Sequence, residues 1–266
     1  MTNRDITRIR GATLKAQDVV NVARRDQPKD AGHAGTSRAC RRYTALAKRL
    51  RAGHRHPTLS LPEDWDADVW QSGRARVATL VETFAIKPAH RVIDYGCGTL
   101  RLGAHLIGFL DRGNYFGLDV APDLIALGSE RVNAEILSEK VPLLAGIDEH
   151  ALARAQSFQA AFLISESVSF HVFPDELDFY YAALRRLVAV PGSVLILGTR
   201  LADVEIRFAD GSWARPLQHF VEALAPLTYL GAYPEQVGGI VGKRKDIKGA
   251  TLAFRREGGA SGMSVI

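Results

Sequence analysis

Short apolar runs alternate along this chain with longer stretches in which apolar residues return every three or four positions. The short runs read as strands: Arg91–Asp94, Tyr115–Asp119, a weak run near Val141–Leu144, Ala160–Ile164, Ser193–Gly198 after the Pro191-Gly192 turn, a short run at Thr228–Ala232, and Thr251–Arg255. The periodic stretches between them read as helices: about Arg101–Leu110, Pro122–Leu137, a short Ala151–Gln156, Pro174–Val188 with its start at Pro174-Asp175-Glu176, and Pro216–Ala225. Upstream, Gln71–Phe84 places Val77, Leu80, Val81 and Phe84 at helical spacing. Strands alternating with helices of this length predict an α/β fold, doubly wound, with a mostly parallel sheet and helices on both faces. No internal repeat and no low-complexity tract interrupts the alternation.

One junction in this alternation carries chemistry. In Arg91-Val-Ile-Asp-Tyr-Gly-Cys-Gly-Thr-Leu-Arg-Leu-Gly103 an apolar strand ends at Asp94, Gly96 and Gly98 follow, and a helical pattern starts at once. Glycines at a strand-to-helix turn leave the backbone bare where a ligand can lie against it, and amides at a helix N-terminus face that ligand. The next strand ends at a second acid, Asp119. A glycine turn followed by an acid at the end of the next strand is how α/β proteins hold a nucleoside with free ribose hydroxyls. A dinucleotide fingerprint needs a third glycine at position 101, which is Arg101.

The segment resembles motif I of the class I S-adenosylmethionine-dependent methyltransferases, an acid-x-Gly-x-Gly turn after the first strand. Asp94, Gly96 and Gly98 match that pattern, and Asp119 matches the family's ribose-binding acid; the family often has a third glycine where this chain has Leu100. The resemblance implies a Rossmann-like sheet of seven strands, the last antiparallel, over roughly residues 60–256. It implies S-adenosyl-L-methionine as cofactor and S-adenosyl-L-homocysteine as product. Asp119 would take both ribose hydroxyls, a carboxylate offering two acceptors to two neighbouring donors. Amides around Cys97–Arg101 would face the methionine end, and Asp94 would hold the turn and the cofactor's ammonium. Val120, Asp148 (beside the adenine amine) and Ser165 complete the expected cofactor site. In the family the loop after strand four meets the acceptor. Here it reads Ser165-Glu-Ser-Val-Ser-Phe-His171, without the Asn/Asp-Pro-Pro-Tyr/Phe of base- and glutamine-modifying members. His171 is the candidate base for a hydroxyl or amine acceptor, or else caps and packs against the following helix; Glu166 fixes an acceptor amine or a backbone group. Trp70-Gln-Ser-Gly73 resembles the leading edge of a helix that closes over the cofactor, with a core anchor as the other role for Trp70.

Charge divides the chain. Residues 1–57 hold 14 Lys and Arg against four Asp and Glu; the rest of the chain holds the remaining 20 of 34 basic and 25 of 29 acidic residues. The arm contains a basic helical candidate, roughly Ser37 to Ala52, which reads first as part of a solvated extension and second as a contact for nucleic acid. The expected organisation is a basic extension at 1–57, partly helical or disordered, a cofactor-covering helical segment at 58–88, a methyltransferase core at 89–258 and a flexible tail at 259–266. No apolar run approaches the roughly 20 residues that span a bilayer, the polar N-terminal residues lack the apolar core expected of a secretory signal, and Cys40 and Cys97 form no metal-ligand spacing. A reducing, cytoplasmic setting is the expectation. Cys97, between the turn glycines, reads as a small hydrophobe. Gly238-Gly-Ile-Val-Gly-Lys-Arg-Lys245 lacks the glycine and Ser/Thr of a phosphate loop and reads as a basic connection. Together these features predict methyl transfer to an O or N atom of a small-molecule acceptor. The rivals are an RNA-modifying methyltransferase gripping phosphates with the basic arm, and a cofactor-binding partner subunit without catalysis.

Overall fold

The structure, a computed structural model, describes residues 37–54, 56, 59, 68–209, 211–234 and 244–258. The N-terminal arm before Ser37, residues 238–243 of the basic connection, the tail from 259 and the Trp70 side chain lie outside the described part.

The apolar runs form one seven-stranded sheet: β1 (Val92–Tyr95), β2 (Tyr115–Asp119), β3 (Leu143–Gly146), β4 (Phe162–Ser165), β5 (Val194–Leu201), β8 (Thr228–Pro234) and β9 (Lys248–Arg255). Their order across the sheet is β3-β2-β1-β4-β5-β9-β8. The pairs from β3 through β5 are parallel; β9 is antiparallel to both β5 and β8. The expected topology is therefore present, with the antiparallel strand last in sequence and second from the edge.

Side chains alternate across the sheet with a period of two, and each set joins a different core. Ile93, Phe116, Leu163, Leu195, Leu197, Leu252 and Phe254 pack on one face with Tyr181, Leu184 and Phe220, from helices α7 (Leu177–Leu187) and α8 (Leu217–Ala223). Val92, Tyr115, Leu144, Phe162, Ile164 and Ile196 pack on the other with Val77, Leu80, Leu106 and Ile125, from α2 (Asp68–Thr83), α3 (Gly103–Phe109) and α4 (Pro122–Ser129). Both faces are covered, as a parallel sheet requires.

Two elements differ from the sequence reading. The predicted Pro122–Leu137 helix is two helices, because Asn133 caps a new start by accepting from the Glu135 amide (2.7 Å), and α5 then runs over Ala134–Lys140. A hairpin, β6 (Ile206–Ala209) with β7 (Ser212–Ala214), is inserted between β5 and α8. Between the two strands the sequence reads Asp210-Gly211, a hairpin signal that was there to be read. The remaining helices are α1 (Arg38–Arg51), on the basic candidate segment, and α6 (Glu149–Ser157).

Candidate functional site

β1 and β4 are neighbours at the point where strand order reverses, so the crevice at their C-terminal ends is where an open α/β sheet binds ligands. The chain leaving β1 turns through left-handed backbone at Gly96 (φ 84°), Gly98 (φ 53°) and Leu100 (φ 60°). The first two lack a Cβ for a reason: one on Gly96 would meet Val168 Cγ2 at 2.2 Å and one on Gly98 would meet Leu59 Cδ2 at 2.8 Å. Leu100 takes the same backbone region with its side chain fully buried.

Two buried acids stand beside this turn. Asp119 ties it to the start of α4: Oδ2 accepts from the Gly98 amide (2.9 Å) and Oδ1 from the Ala121 amide (2.8 Å). Burial pushes its carboxyl up to about 6, against the pull of those two amides. Each oxygen keeps a further lone pair. Asp94 accepts from the Tyr115 hydroxyl (2.8 Å) rather than from the turn, and burial raises it to about 7.

The loop after β4 supplies the opposite wall. The Glu166 carboxylate accepts from Arg76 Nη2 at 2.8 Å, with both side chains almost wholly buried, and the same nitrogen donates to Thr251 Oγ1 at 2.5 Å. Gly198 makes room for this group, since a Cβ there would sit 2.5 Å from the Glu166 carboxyl. Arg101 donates to Ser72 (3.2 Å), and burial lowers its pKa while the neighbouring Glu166 and Asp94 oppose that shift.

His171 ends a short 3-10 turn, Ser169–His171, and its Nδ1 meets Ser212 Oγ at 2.9 Å and the Gly211 carbonyl at 3.4 Å, both on the inserted hairpin. Desolvation pushes the imidazole down to about 4, so it is neutral at pH 7. Arg215, with no exposed surface, donates to the Ser169 carbonyl (3.2 Å) and to Glu205 (2.7 Å), fixing the turn from beneath.

These groups enclose a cavity of about 490 Å³ lined by Asp94, Gly96, Cys97, Gly98, Arg101, Asp119, Val120, Leu124, Ile147, Glu166 and His171, within the size range of small-molecule sites. Its roof is α1: Arg38, Ala39, Arg41 and Tyr43 line it. The helix is riveted by Ala47 and Leu50 against Ala121, Leu124 and Leu127, and its first turn is held by Glu176, which accepts from the Arg38 amide (2.5 Å) and the Ala39 amide (3.3 Å). Among the described residues of α2, no side chain lines the cavity; α2 instead meets the cavity wall through Ser72 and Arg76.

No protein-family model matches the sequence. The structure is similar to solved ones at low identity. A [4+2]-cyclase, SpnF, superposes with a TM-score of 0.59 at 16% identity, over 82% of this chain and 96% of that one. The magnesium protoporphyrin IX methyltransferase ChlM of Synechocystis PCC 6803, solved with S-adenosylmethionine, gives 0.51 at 15% identity over 90% and 98%. Phosphoethanolamine N-methyltransferase 2 of Haemonchus contortus gives 0.51 at 13% identity over 71% of this chain and 53% of that one. This is the class I methyltransferase fold.

Within that fold the structure gathers Asp94, Gly96, Cys97, Gly98, Asp119, Val120, Glu166 and His171 around one cavity. It places two other expected residues outside the lining. Asp148 caps α6, accepting from the Ala151 amide (2.7 Å). Ser165 is fully buried and shares a hydrogen bond with the Tyr180 hydroxyl (2.8 Å), so only Tyr180 of that pair reaches the cavity. Cys97 packs as a buried hydrophobe whose thiol burial pushes well up. Sequence reasoning missed Arg76, Ser212 and Arg215, because each acts through a partner far along the chain and none belongs to a local pattern. Among the described residues no helix is long and apolar enough to cross a membrane, and no cluster suits a metal ion.

Proposed function

We propose that this protein is an S-adenosylmethionine-dependent methyltransferase acting on an O or N atom of a small molecule. The observation that carries the reading is the pairing of a bare, left-handed glycine turn with Asp119 on one cavity wall. The fold alone leaves the reaction open, since its neighbours include a cyclase. The residues present fit the cofactor. Asp119 retains lone pairs for two ribose hydroxyls, Val120, Leu124 and Ile147 offer an apolar slot for adenine, and Arg101 is a cation for the α-carboxylate. Asp94, raised to about 7, is the nearby carboxyl for an ammonium group.

When bound, the cofactor supplies a methyl group on a sulfonium, already activated for in-line displacement. The protein's own part is placement, which lowers the barrier by fixing the reactants before they react. The turn and Asp119 hold one partner, and the loop from Glu166 to His171 meets the other. The Arg76–Glu166 pair and the Arg215 clamp keep that loop rigid, and α1 keeps water out of the cavity. Within the basic segment, α1 is proposed to serve as this roof rather than as a nucleic-acid grip.

Calorimetric titration with S-adenosylmethionine, S-adenosylhomocysteine and NAD tests the cofactor assignment. The expected result is micromolar binding of the first two, none of NAD, and a loss of about tenfold or more in Asp119→Asn, whose fold circular dichroism checks. Transfer of labelled methyl to a panel of hydroxylated and amine compounds then tests activity. Absence of sulfonium binding to the folded wild type sinks the reading.

A further inference from the structure

We propose that Tyr43, on the roof helix α1, is a second ribose ligand: together with Asp119 it clamps one sugar hydroxyl of the bound nucleoside, so that the roof is fastened by the molecule it covers. This rests on the methyltransferase reading and adds a residue to the cofactor site of that reading.

The periodicity of α1 places the side chain. Tyr43, Ala47 and Leu50 follow one another at spacings of four and three, and so share one face of the helix. Ala47 and Leu50 are buried against Ala121, Leu124 and Leu127, and Tyr43 packs onto the same cluster with Leu59. Leu124 and Leu127 belong to α4, whose N-cap residue Ala121 is tied to Asp119 through its amide (2.8 Å). The seating of α1 on α4 therefore sets Tyr43 on the cavity wall together with Asp119 and Leu124. Its ring is held by the cluster, but among the described residues its hydroxyl has no hydrogen-bond partner. Tyr95 on β1 also lines the cavity with a hydroxyl that lacks a partner among the described residues, but its ring belongs to the core on the α7 side of the sheet, 5.7 Å from the Tyr180 ring. Tyr43 brings its hydroxyl from the roof.

A group lying between Asp119 and Tyr43 has to serve both. The carboxylate, once ionised, only accepts, whereas the phenol has a proton to give. Burial, more than the nearby charge of Asp119, pushes that phenol up to about 12 against the pull of Arg42, so the proton stays on. An ammonium only donates and a second carboxylate only accepts. A hydroxyl does both, donating to Asp119 and accepting from Tyr43. Water has the same capacity, but the apolar slot of Val120, Leu124 and Ile147 on the same wall suits a nucleobase, and the hydroxyl beside a nucleobase is a sugar's. Coupling of this kind is reciprocal: whatever the ligand gains through Tyr43, α1 gains when the ligand is bound. The ion pairs of α1, Arg51–Glu130 and Arg38–Asp175, are exposed and contribute little, so one added hydrogen bond is a measurable share of what holds the roof.

The test is calorimetry with S-adenosylhomocysteine and with its 2′-deoxy and 3′-deoxy forms, on the full-length wild type and on Tyr43→Phe. Phenylalanine keeps the ring in the cluster and removes only the hydroxyl. The expected result is a loss of about two- to tenfold on S-adenosylhomocysteine, the usual worth of one hydrogen bond, which vanishes on one of the two deoxy forms. Hydrogen exchange at the α1 amides is expected to slow by a similar factor when S-adenosylhomocysteine binds the wild type, and by less in Tyr43→Phe. The proposal is overturned by unchanged binding in Tyr43→Phe, by equal losses on all three ligands, which would mean a bridging water or a packing effect, or by α1 exchange that ignores the ligand. Sulfonium binding that does not depend on Tyr43 overturns the clamp and leaves the transfer reading intact. If neither S-adenosylmethionine nor S-adenosylhomocysteine binds the folded wild type, the transfer reading fails and adenosine takes their place. Adenosine binding that weakens in Tyr43→Phe then upholds the clamp without that reading, and absent adenosine binding overturns both.

Discussion

Leu100 holds a left-handed backbone (φ 60°) with no exposed surface. Glycine would take that conformation freely, whereas an L side chain gives up about 1–2 kcal/mol there. What offsets the strain is packing: Leu100 sits in the core beneath α2 and α3, and truncating a buried leucine costs about 2–5 kcal/mol. Leu100→Gly is therefore expected to destabilise the protein, and Leu100→Ala to destabilise it more, because alanine loses the packing and keeps the strain. That reverses the usual ranking of the two residues, and urea titration of both variants checks it. Asp94 gives a second expectation. Its folded-state value near 7 lies far above its ordinary 3.8, so the folded protein binds the extra proton. The associated stability is full below pH 4 and is lost as pH rises through 7. Asp94→Asn should flatten this dependence and leave the variant more stable than wild type at pH 8, by on the order of a few kcal/mol. Thermal melts between pH 5 and 8 measure it. Binding of a cation beside Asp94 should run the other way and weaken below pH 7.

At the scale of elements, the strands and their alternation with helices were legible because both faces of a parallel sheet are buried and each strand reads as an apolar run. Helix ends were less so: Arg131-Val132-Asn133 breaks the predicted Pro122–Leu137 helix because the Asn133 side chain competes for a backbone amide, a choice the apolar spacing does not record. The role of α1 was hidden for a different reason. Its arginines dominate its composition, but Ala47 and Leu50 decide its position, by meeting an apolar patch on α4 that no local pattern announces. The first turn depends on Glu176, far along the chain. Glu176→Ala should cost about 0.5–2 kcal/mol locally, the usual range for a lost N-terminal cap. Hydrogen exchange is expected to quicken at the amides of 38–41, while the β1 and β4 amides stay protected. Equal loss across the sheet would mean that α1 is part of the global folding unit rather than a roof resting on it.

Across the whole molecule, the cavity wall at the glycine turn was written in one short motif and the acid that ends the next strand, whereas the opposite wall is assembled from distant segments. Glu166 follows β4, Arg76 is on α2, Thr251 is on β9 and Gly198 on β5 clears the space they share. Only folding brings them together, so only their residue types were visible beforehand. The Arg76–Glu166 pair joins the helical layer to the sheet, and its burial makes the consequence of breaking it definite. Removing one partner leaves the other charge uncompensated in the interior, which costs about 3–5 kcal/mol, whereas replacing both by apolar groups of similar size can be nearly neutral. Arg76→Met and Glu166→Met are each expected to lower the denaturation midpoint strongly. The double variant should recover much of that loss, with a coupling of about 2 kcal/mol or more between the sites. Arg76 Nε has no hydrogen-bond partner, so part of the wild-type guanidinium is already unsatisfied, which favours recovery in the double variant. Losses that simply add would show that the two charges are solvated independently and that the tie between helix layer and sheet is carried by the apolar contacts of Val77 and Leu80 alone.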